Sequence, residues 1–200
     1  MTSTRKIVYS NDSVHTTITR SPATVSRWLS RTQSIHRRRL HHLIVGLDVE
    51  WQPSFTRGVH HPVAVLQICV GHRCLIYQIL QSEYIHDSLV FFLSNPYFTF
   101  VGVGVKDDLM KLDRDYGFGG DTKFLDLREL AVNAYGAAEL RQAGLKSLAS
   151  LVLGKELEKP KDVTLSRWDR RWLTMDQVRY ACLDAFVSFE IGRILVDSKN

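Results

Sequence analysis

The residues in this chain best placed to do chemistry are acids at the ends of apolar stretches. LIVGLDVEW, residues 43–51, reads as a central strand that carries Asp48 and Glu50 near its end. Side chains two apart in a strand leave the same face, with Cα atoms ~6.6 Å apart, so the two carboxylates repel and a positive group must compensate them: Arg, Lys or a divalent cation. A second acid site follows VGVGV at 101–105, where Asp107 and Asp108 stand at a strand-to-helix junction, a usual place for functional groups in α/β sheets. The third is Tyr180 with Asp184, four apart on the last helical pattern and therefore on one face, among Ala181, Cys182, Ala185 and Phe186. Each alone is uninformative: a strand-end acid often faces water, an acid at a helix start is often an N-cap, and a polar pair among apolar neighbours says only that it needs a partner.

The elements that must position these groups are legible from periodicity and turn residues. RKIVYS and VHTTIT around Asn11 and Asp12 form a hairpin, and SPATVSRWLS forms a short helix with Ser21 as N-cap and Pro22 at its first position. These make an N-terminal addition of about residues 5–31. VAVLQICV and RCLIYQIL, separated by Gly71 and His72, form a second hairpin antiparallel to LIVGLDVEW. SEYIHDSLVFFLS is helical, FTFVGVGV a buried strand, DDLMKLDRDY a helix with an apolar stripe at Val105, Leu109, Leu112 and Tyr116, KFLDL a short strand, and the remainder mostly helical. Thr174 and Gln177 make a T-x-x-Q capping box for the final helix. The pattern predicts one α/β domain over residues 1–200, with a mixed central sheet and helices on both faces. Gly102-x-Gly104 lacks the third glycine of a dinucleotide fold, which is set aside.

Composition narrows the setting. The formal charge is +5 and 44% of residues are hydrophobic, which suits a globular core. No apolar run has membrane-spanning length and the first residues lack a secretory pattern, so a soluble intracellular protein is expected. Cys69, Cys74 and Cys182 form no C-x-x-C pair and read as reduced core thiols. Two basic stretches stand out, HRRRLHH at 36–42 and KELEKPKDVTLSRWDRR at 155–171, each readable as a solvated turn. His60-His61 reads as a loop rather than a metal pair.

Taken jointly, the strand D-x-E, the junction acid and Y-x-x-x-D on the last helix resemble the DEDDy 3′–5′ exonucleases, whose fold is ribonuclease H-like (DnaQ-like). The resemblance runs from about residue 40 to 195. Within that family GLDVEW, VLQIC, GVGVKDDLMKL, LASLVLG, LSRW and YACLDA look most like the Werner-type exonuclease domain, and the opening hairpin and helix resemble the small plant members, among them the RISC-interacting clearing exoribonucleases.

The resemblance implies Asp48, Glu50, Asp108 and Asp184 as metal-binding acids and Tyr180 as the residue that orients the attacking water. Asp108 is chosen over Asp107 by its place four residues before Leu112. All-oxygen ligands suit Mg²⁺ or Mn²⁺, two ions per site. Trp51, beside the acids, and Trp168, in the loop before the last helix, are expected to stack on bases, with Arg167, Arg170 and Arg171 contacting phosphates. The expected function is a 3′–5′ exoribonuclease that releases nucleoside 5′-monophosphates from single-stranded RNA. The resemblance further implies a homohexamer, an Argonaute partner and a cytoplasmic location, although HRRRLHH also reads as a nuclear signal. The alternatives are a Werner-like DNA exonuclease in repair and an adaptor that keeps the fold without the activity.

Overall fold

The computed structural model describes residues 2–54, 56 and 58–197. Seven strands form one mixed sheet: β1 (Thr2–Tyr9), β2 (Asp12–Thr19), β3 (Leu43–Trp51), β4 (Val63–Val70), β5 (Arg73–Tyr77), β6 (Phe98–Gly102) and β7 (Phe124–Asp126), in the order β1-β2-β5-β4-β3-β6-β7. β3, β4 and β5 run antiparallel in series, whereas β6 is parallel to β3 and β7 to β6. The N-terminal hairpin extends this sheet, because β2 pairs in parallel with β5 from His15 opposite Arg73 to Thr19 opposite Tyr77.

The helices are α1 (Pro22–Ile35), α2 (Asp87–Leu93), α3 (Val105–Tyr116), α4 (Leu127–Tyr135), the short α5 (Leu145–Leu148) and α6 (Lys161–Thr164), and α7 (Met175–Asp197). They cover both faces. Thr16 meets Cys182 of α7 at 3.0 Å, while its neighbour Thr17 lines a hollow with Trp28 and Arg31 of α1, as strand alternation requires. The three cysteines are free and buried.

Local signals act where the sequence places them. The Ser21 hydroxyl accepts from Thr24 N–H at the start of α1, and Thr174 and Gln177 bond reciprocally at the start of α7. α2 is shorter than SEYIHDSLVFFLS suggests because it is capped at His86, whose Nδ1 accepts from Ser88 N–H. The strand FTFVGVGV stops at Gly102, since Gly104 adopts φ +74° and starts α3 at Val105. Residues 136–164 are less regular than expected, with short turns and one π-helical turn at Ala149–Leu153.

α7 is the element that matters most for function, and Gly46 decides where it sits. A Cβ at Gly46 would lie 2.0 Å from the Ala185 carbonyl oxygen and 2.7 Å from Phe189 N. Only a residue without a side chain lets the helix backbone approach β3 this closely. Gly192 plays the same part against Val101 of β6, where a Cβ would meet Cγ2 at 2.6 Å. Among the described residues no helix is long and apolar enough to cross a membrane.

Candidate active site

The approach of α7 to β3 at Gly46 sets Asp184, which precedes Ala185, beside the strand that carries Asp48 and Glu50. One carboxylate oxygen from each of Asp48, Glu50 and Asp184 lies within 4.8 Å of the other two. Asp184 is buried, at 3% exposure, and Asp48 and Glu50 are half-buried. β3 keeps regular antiparallel register with β4 through this region, Asp48 opposite Gln67 and Glu50 opposite Val65. A bulge between Glu50 and Trp51 then breaks it and turns the end of the strand.

Asp108 approaches from the β6–α3 junction. Gly102 allows the chain to pass close to Leu47 O, and Gly104 N–H donates to Asp126 Oδ2 at 2.9 Å. Asp126 is itself clamped by Arg128, which donates from Nε and an Nη at 2.9 and 2.7 Å. Burial works against the Asp126 charge, but these bonds hold its carboxyl below the usual carboxylate range. The first turn of α3 then presents Asp107 exposed and Asp108 half-buried. Asp108 stands outside the close group of three, near enough for its charge to act on Asp48 and Glu50.

The electrostatics follow from crowding. Burial, then the charges of Asp184, Asp108 and Glu50, push the Asp48 carboxyl well above the usual range. Burial and Asp184 do the same to Glu50, and burial with Asp107 and Asp126 pushes Asp108 up to about 7. Burial also raises Asp184, while Lys159 and the Tyr180 hydroxyl act in the opposite direction. The compensating positive group is therefore partly a lysine. Lys159 Nζ lies 2.6 Å from Asp184 Oδ2 and 4.9 Å from the centre of the Tyr180 ring. Burial opposes its charge, but Asp184, Asp48 and Tyr180 hold its pKa above the ordinary lysine value. Sequence reasoning misses this residue. It belongs to the basic stretch 155–171, which reads as a solvated turn, and Pro160 directly after it is the one local sign of a fixed conformation.

Tyr180 is buried, one turn before Asp184 on α7, and its hydroxyl accepts from Thr164 Oγ1 at 3.2 Å. Burial and Asp184 raise its pKa above the phenol value, so the phenol stays protonated near neutral pH and its O–H is available to donate. Trp51 is 37% exposed at the strand end, with Lys111 Nζ 4.9 Å from its ring centre. Trp168 is placed differently from its expected role. It is 1% exposed, donates from Nε1 to Thr164 O at 3.2 Å, and packs its ring 5.8 Å from that of Tyr180, so no face is open to a base. The exposed tryptophan of this segment is Trp172, at 56%, which carries the Arg20 guanidinium 5.2 Å above its ring. Arg167, Arg170 and Arg171 are exposed, with Arg167 paired to Asp169 at 2.7 Å. The loop is held by Gln78 and Gln81, whose amides donate to the carbonyls of Asp169, Arg170 and Arg171. His60 Nε2 bonds Asp115 Oδ1 at 2.7 Å.

The donor set fits a hard divalent cation. Three carboxylates converge without a cysteine or histidine among them, and their raised proton affinity shows that the charge they need is only part-supplied by Lys159. Geometry and fold together define a ribonuclease H-like exonuclease architecture, a mixed sheet with an acid cluster at the end of its central strand.

Residues 18–198 match the family model described as 3′-5′ exonuclease. A 3′-5′ exonuclease of Arabidopsis thaliana is 37% identical over 156 residues, covering 76% of this chain and 52% of that protein. The bifunctional 3′-5′ exonuclease/ATP-dependent helicase WRN of Mus musculus is 34% identical over 149 residues, 74% of this chain and 10% of the relative. The chain thus spans about half the length of the first relative and a tenth of the second. The crystal structure of Escherichia coli RNase D, an exoribonuclease involved in structured RNA processing, superposes with a TM-score of 0.72 at 18% identity, over 90% of this chain and 44% of that one, a likeness of fold. This chain belongs to the 3′-5′ exonuclease family, in the DnaQ-like superfamily.

Proposed function

We propose that residues 1–200 act as one divalent-cation-dependent exonuclease unit that removes nucleotides from the 3′ end of single-stranded nucleic acid, with Asp48, Glu50, Asp108, Asp184 and Tyr180 as its working residues. The observation that carries this reading is the convergence of Asp48, Glu50 and Asp184 oxygens within 4.8 Å, with Tyr180 one turn away on the helix that brings Asp184. Asp48, Glu50 and Asp184, with Asp108, would hold Mg²⁺ or Mn²⁺, two ions in the full site. Such ions supply a water ionised near neutral pH and relieve charge on the leaving oxygen.

The chain's own residues do the rest. Tyr180, kept protonated by burial, donates a hydrogen bond that fixes the direction of the attacking oxygen. Thr164 Oγ1 donates to that hydroxyl, and Trp168 packs against the phenol ring, so both are supports for Tyr180. Lys159, 2.6 Å from Asp184 Oδ2, favours the ionised form of that carboxyl against the effect of burial. Trp51 offers an exposed ring at the strand end for the terminal base, its orientation held by Lys111.

RNA is the favoured substrate, with nucleoside 5′-monophosphates as products. The finer reading is that the protein clears RNA in a small-RNA pathway, in the cytoplasm, as a ring of six associated with an Argonaute protein. It rests on the motifs shared with the plant clearing exoribonucleases. The test uses 5′-labelled single-stranded RNA and DNA of one sequence, incubated with wild type or Asp48→Asn in Mg²⁺, Mn²⁺ or EDTA. The expected result is a ladder shortening from the 3′ end, absent in EDTA and with the variant, and faster on RNA. Faster shortening of DNA would move the substrate to the repair alternative, and no cleavage of either strand would overturn the exonuclease reading in favour of the adaptor.

A further inference from the structure

The basic segment ahead of β3 takes no part in the acid site, yet it holds the chain's positive excess. Residues 1–47 contain eight lysines and arginines against one acid, Asp12, so the formal charge of +5 arises there and the rest of the chain is net acidic. The fold gathers these charges. Arg27 and Arg31, four apart on α1, share a face, and β5 brings Arg73 to them. The three arginines line one hollow of about 510 Å³ with the hydroxyls of Thr17, Thr24 and Ser30. Past the end of α1, His36, Arg39, His42 and His72 line a second hollow of about 700 Å³, with exposed Arg37 and Arg38 on the turn beside it.

These charges are not balanced by acids: Arg27 donates to the Thr24 hydroxyl at 3.1 Å, a neutral partner. Among the described residues, no acid lies within ion-pair distance of Arg27, Arg31, Arg37, Arg38, Arg39 or Arg73. The acids on the wall of the second hollow are engaged already: Asp12 by Lys155 at 2.6 Å and His72 at 3.1 Å, Glu190 by Arg193 at 2.8 Å. Arg73 is the sharpest case. Its Nε is buried without a partner, and burial together with Arg31 pushes its guanidinium below the ordinary value. Desolvated like charges left side by side cost free energy, which a polyanion laid across them relieves.

The surface is separate from the acids. Leu43, where the basic turn enters β3, lies five residues from Asp48, ~17 Å along the strand. Arg73 faces the α1 side of the sheet with Thr17, whereas Asp48 faces α7, and the second hollow meets α7 only at Phe189, Glu190 and Arg193, beside Leu43 and Ile44 at the start of β3. The guanidiniums follow one another along α1, the turn after it and the start of β5, an extended run of charge that suits a linear polyanion.

We propose that this surface is a second nucleic-acid contact, in which the guanidiniums of Arg27, Arg31, Arg37, Arg38, Arg39 and Arg73 hold the phosphodiester backbone of a single strand away from the acids. The nature of the polyanion rests on the exonuclease reading.

The test is the full chain carrying Arg31→Gln, Arg37→Gln, Arg38→Gln and Arg39→Gln, all exposed positions. Fluorescence anisotropy in EDTA measures binding of a labelled single-stranded RNA of about 30 nucleotides across a salt series. The variant is expected to bind at least about tenfold more weakly at low salt, and its log-affinity against log-salt slope to flatten by about 0.7 for each phosphate it no longer neutralises. Cleavage of a trinucleotide in Mn²⁺, too short to reach from the acids to the patch, is expected to match wild type. An unchanged affinity and slope for the long RNA would overturn the proposal even if wild type degrades it, leaving the exonuclease reading intact. Weakened binding in a protein that cleaves nothing would sustain the surface and sink the exonuclease. If the variant keeps its RNA affinity and loses affinity for phosphatidylserine vesicles instead, the surface is a membrane contact and the proposal is overturned.

Discussion

Lys159 Nζ lies 2.6 Å from Asp184 Oδ2 and stands over the ring of Tyr180, so a lysine occupies the negative field that the acids create. It makes the metal-free site tolerable and competes with any cation that binds there. Lys159→Met should therefore lower the melting temperature of metal-free protein at pH 8 and raise the affinity for Mn²⁺. The stability loss should be roughly 1–3 kcal/mol, less than for a fully buried pair because the lysine is 30% exposed. Thermal melts with EDTA and with graded Mn²⁺ read both effects. A weaker Mn²⁺ affinity in the variant would show that Lys159 assists cation binding.

The pH dependence has a definite sign. Asp48, Glu50 and Asp108 hold their protons more tightly folded than unfolded, Asp108 up to about 7. Their contribution is fully present below the ordinary carboxylate range and is lost as pH rises through the raised values. Asp115 and Asp126 are depressed and act oppositely, losing stability as pH falls through their folded values. Metal-free protein should be most stable near pH ~5 and soften toward pH 8. Mn²⁺ at about a hundred times its dissociation constant should restore ~2.7 kcal/mol at pH 8 and much less at pH 5, where protons compete. Calorimetry with and without EDTA checks this, and a flat metal-free profile from pH 5 to 8 would contradict it.

Gly46→Ala should separate the two halves of the site. The added methyl must displace the α7 backbone, beginning at Ala185 O, 2.0 Å from an ideal Cβ. A loss of about 3 kcal/mol or more in urea unfolding is expected, with cation affinity falling because Asp184 moves from Asp48. Gly144→Ala is the control, since nothing lies within 4 Å of its Cβ and its φ is −83°. It should stay within ~0.5 kcal/mol of wild type.

The tryptophans should divide by burial. Trp51→Ala should raise KM for single-stranded substrate about tenfold with little change in unfolding free energy, as loss of one stacked base requires. Trp168→Ala should cost ~3–5 kcal/mol of stability, and Trp168→Phe, which keeps a ring beside Tyr180, should recover most of it. Equal KM effects from the two alanine variants in folded protein would refute this division.

The acids are legible in the sequence because their geometry is local. A strand has period two and a helix nearly four, so D-x-E and Y-x-x-x-D each put two groups on one face whatever the rest of the chain does. The caps at Ser21 and Thr174 and the turn at Gly71 and His72 are short-range too, and the structure keeps them. The mixed sheet with helices on both faces follows from the order of such elements.

Which residues meet across long stretches of sequence is decided by tertiary structure. Lys159 and Trp168 lie in one polar-looking stretch, and nothing within it says that both turn inward. They do so because α7 must cover β3, and the loop before it closes over Asp184 and Tyr180. Gly46 in LIVGLDVEW is in sequence like any strand glycine, and only the fold sets Ala185 O against it. Arg73 and Arg31, forty-two residues apart, become neighbours because β5 pairs with β2 beside α1. Periodicity reports which face a side chain takes, whereas the identity of what it meets there depends on packing across the whole sheet.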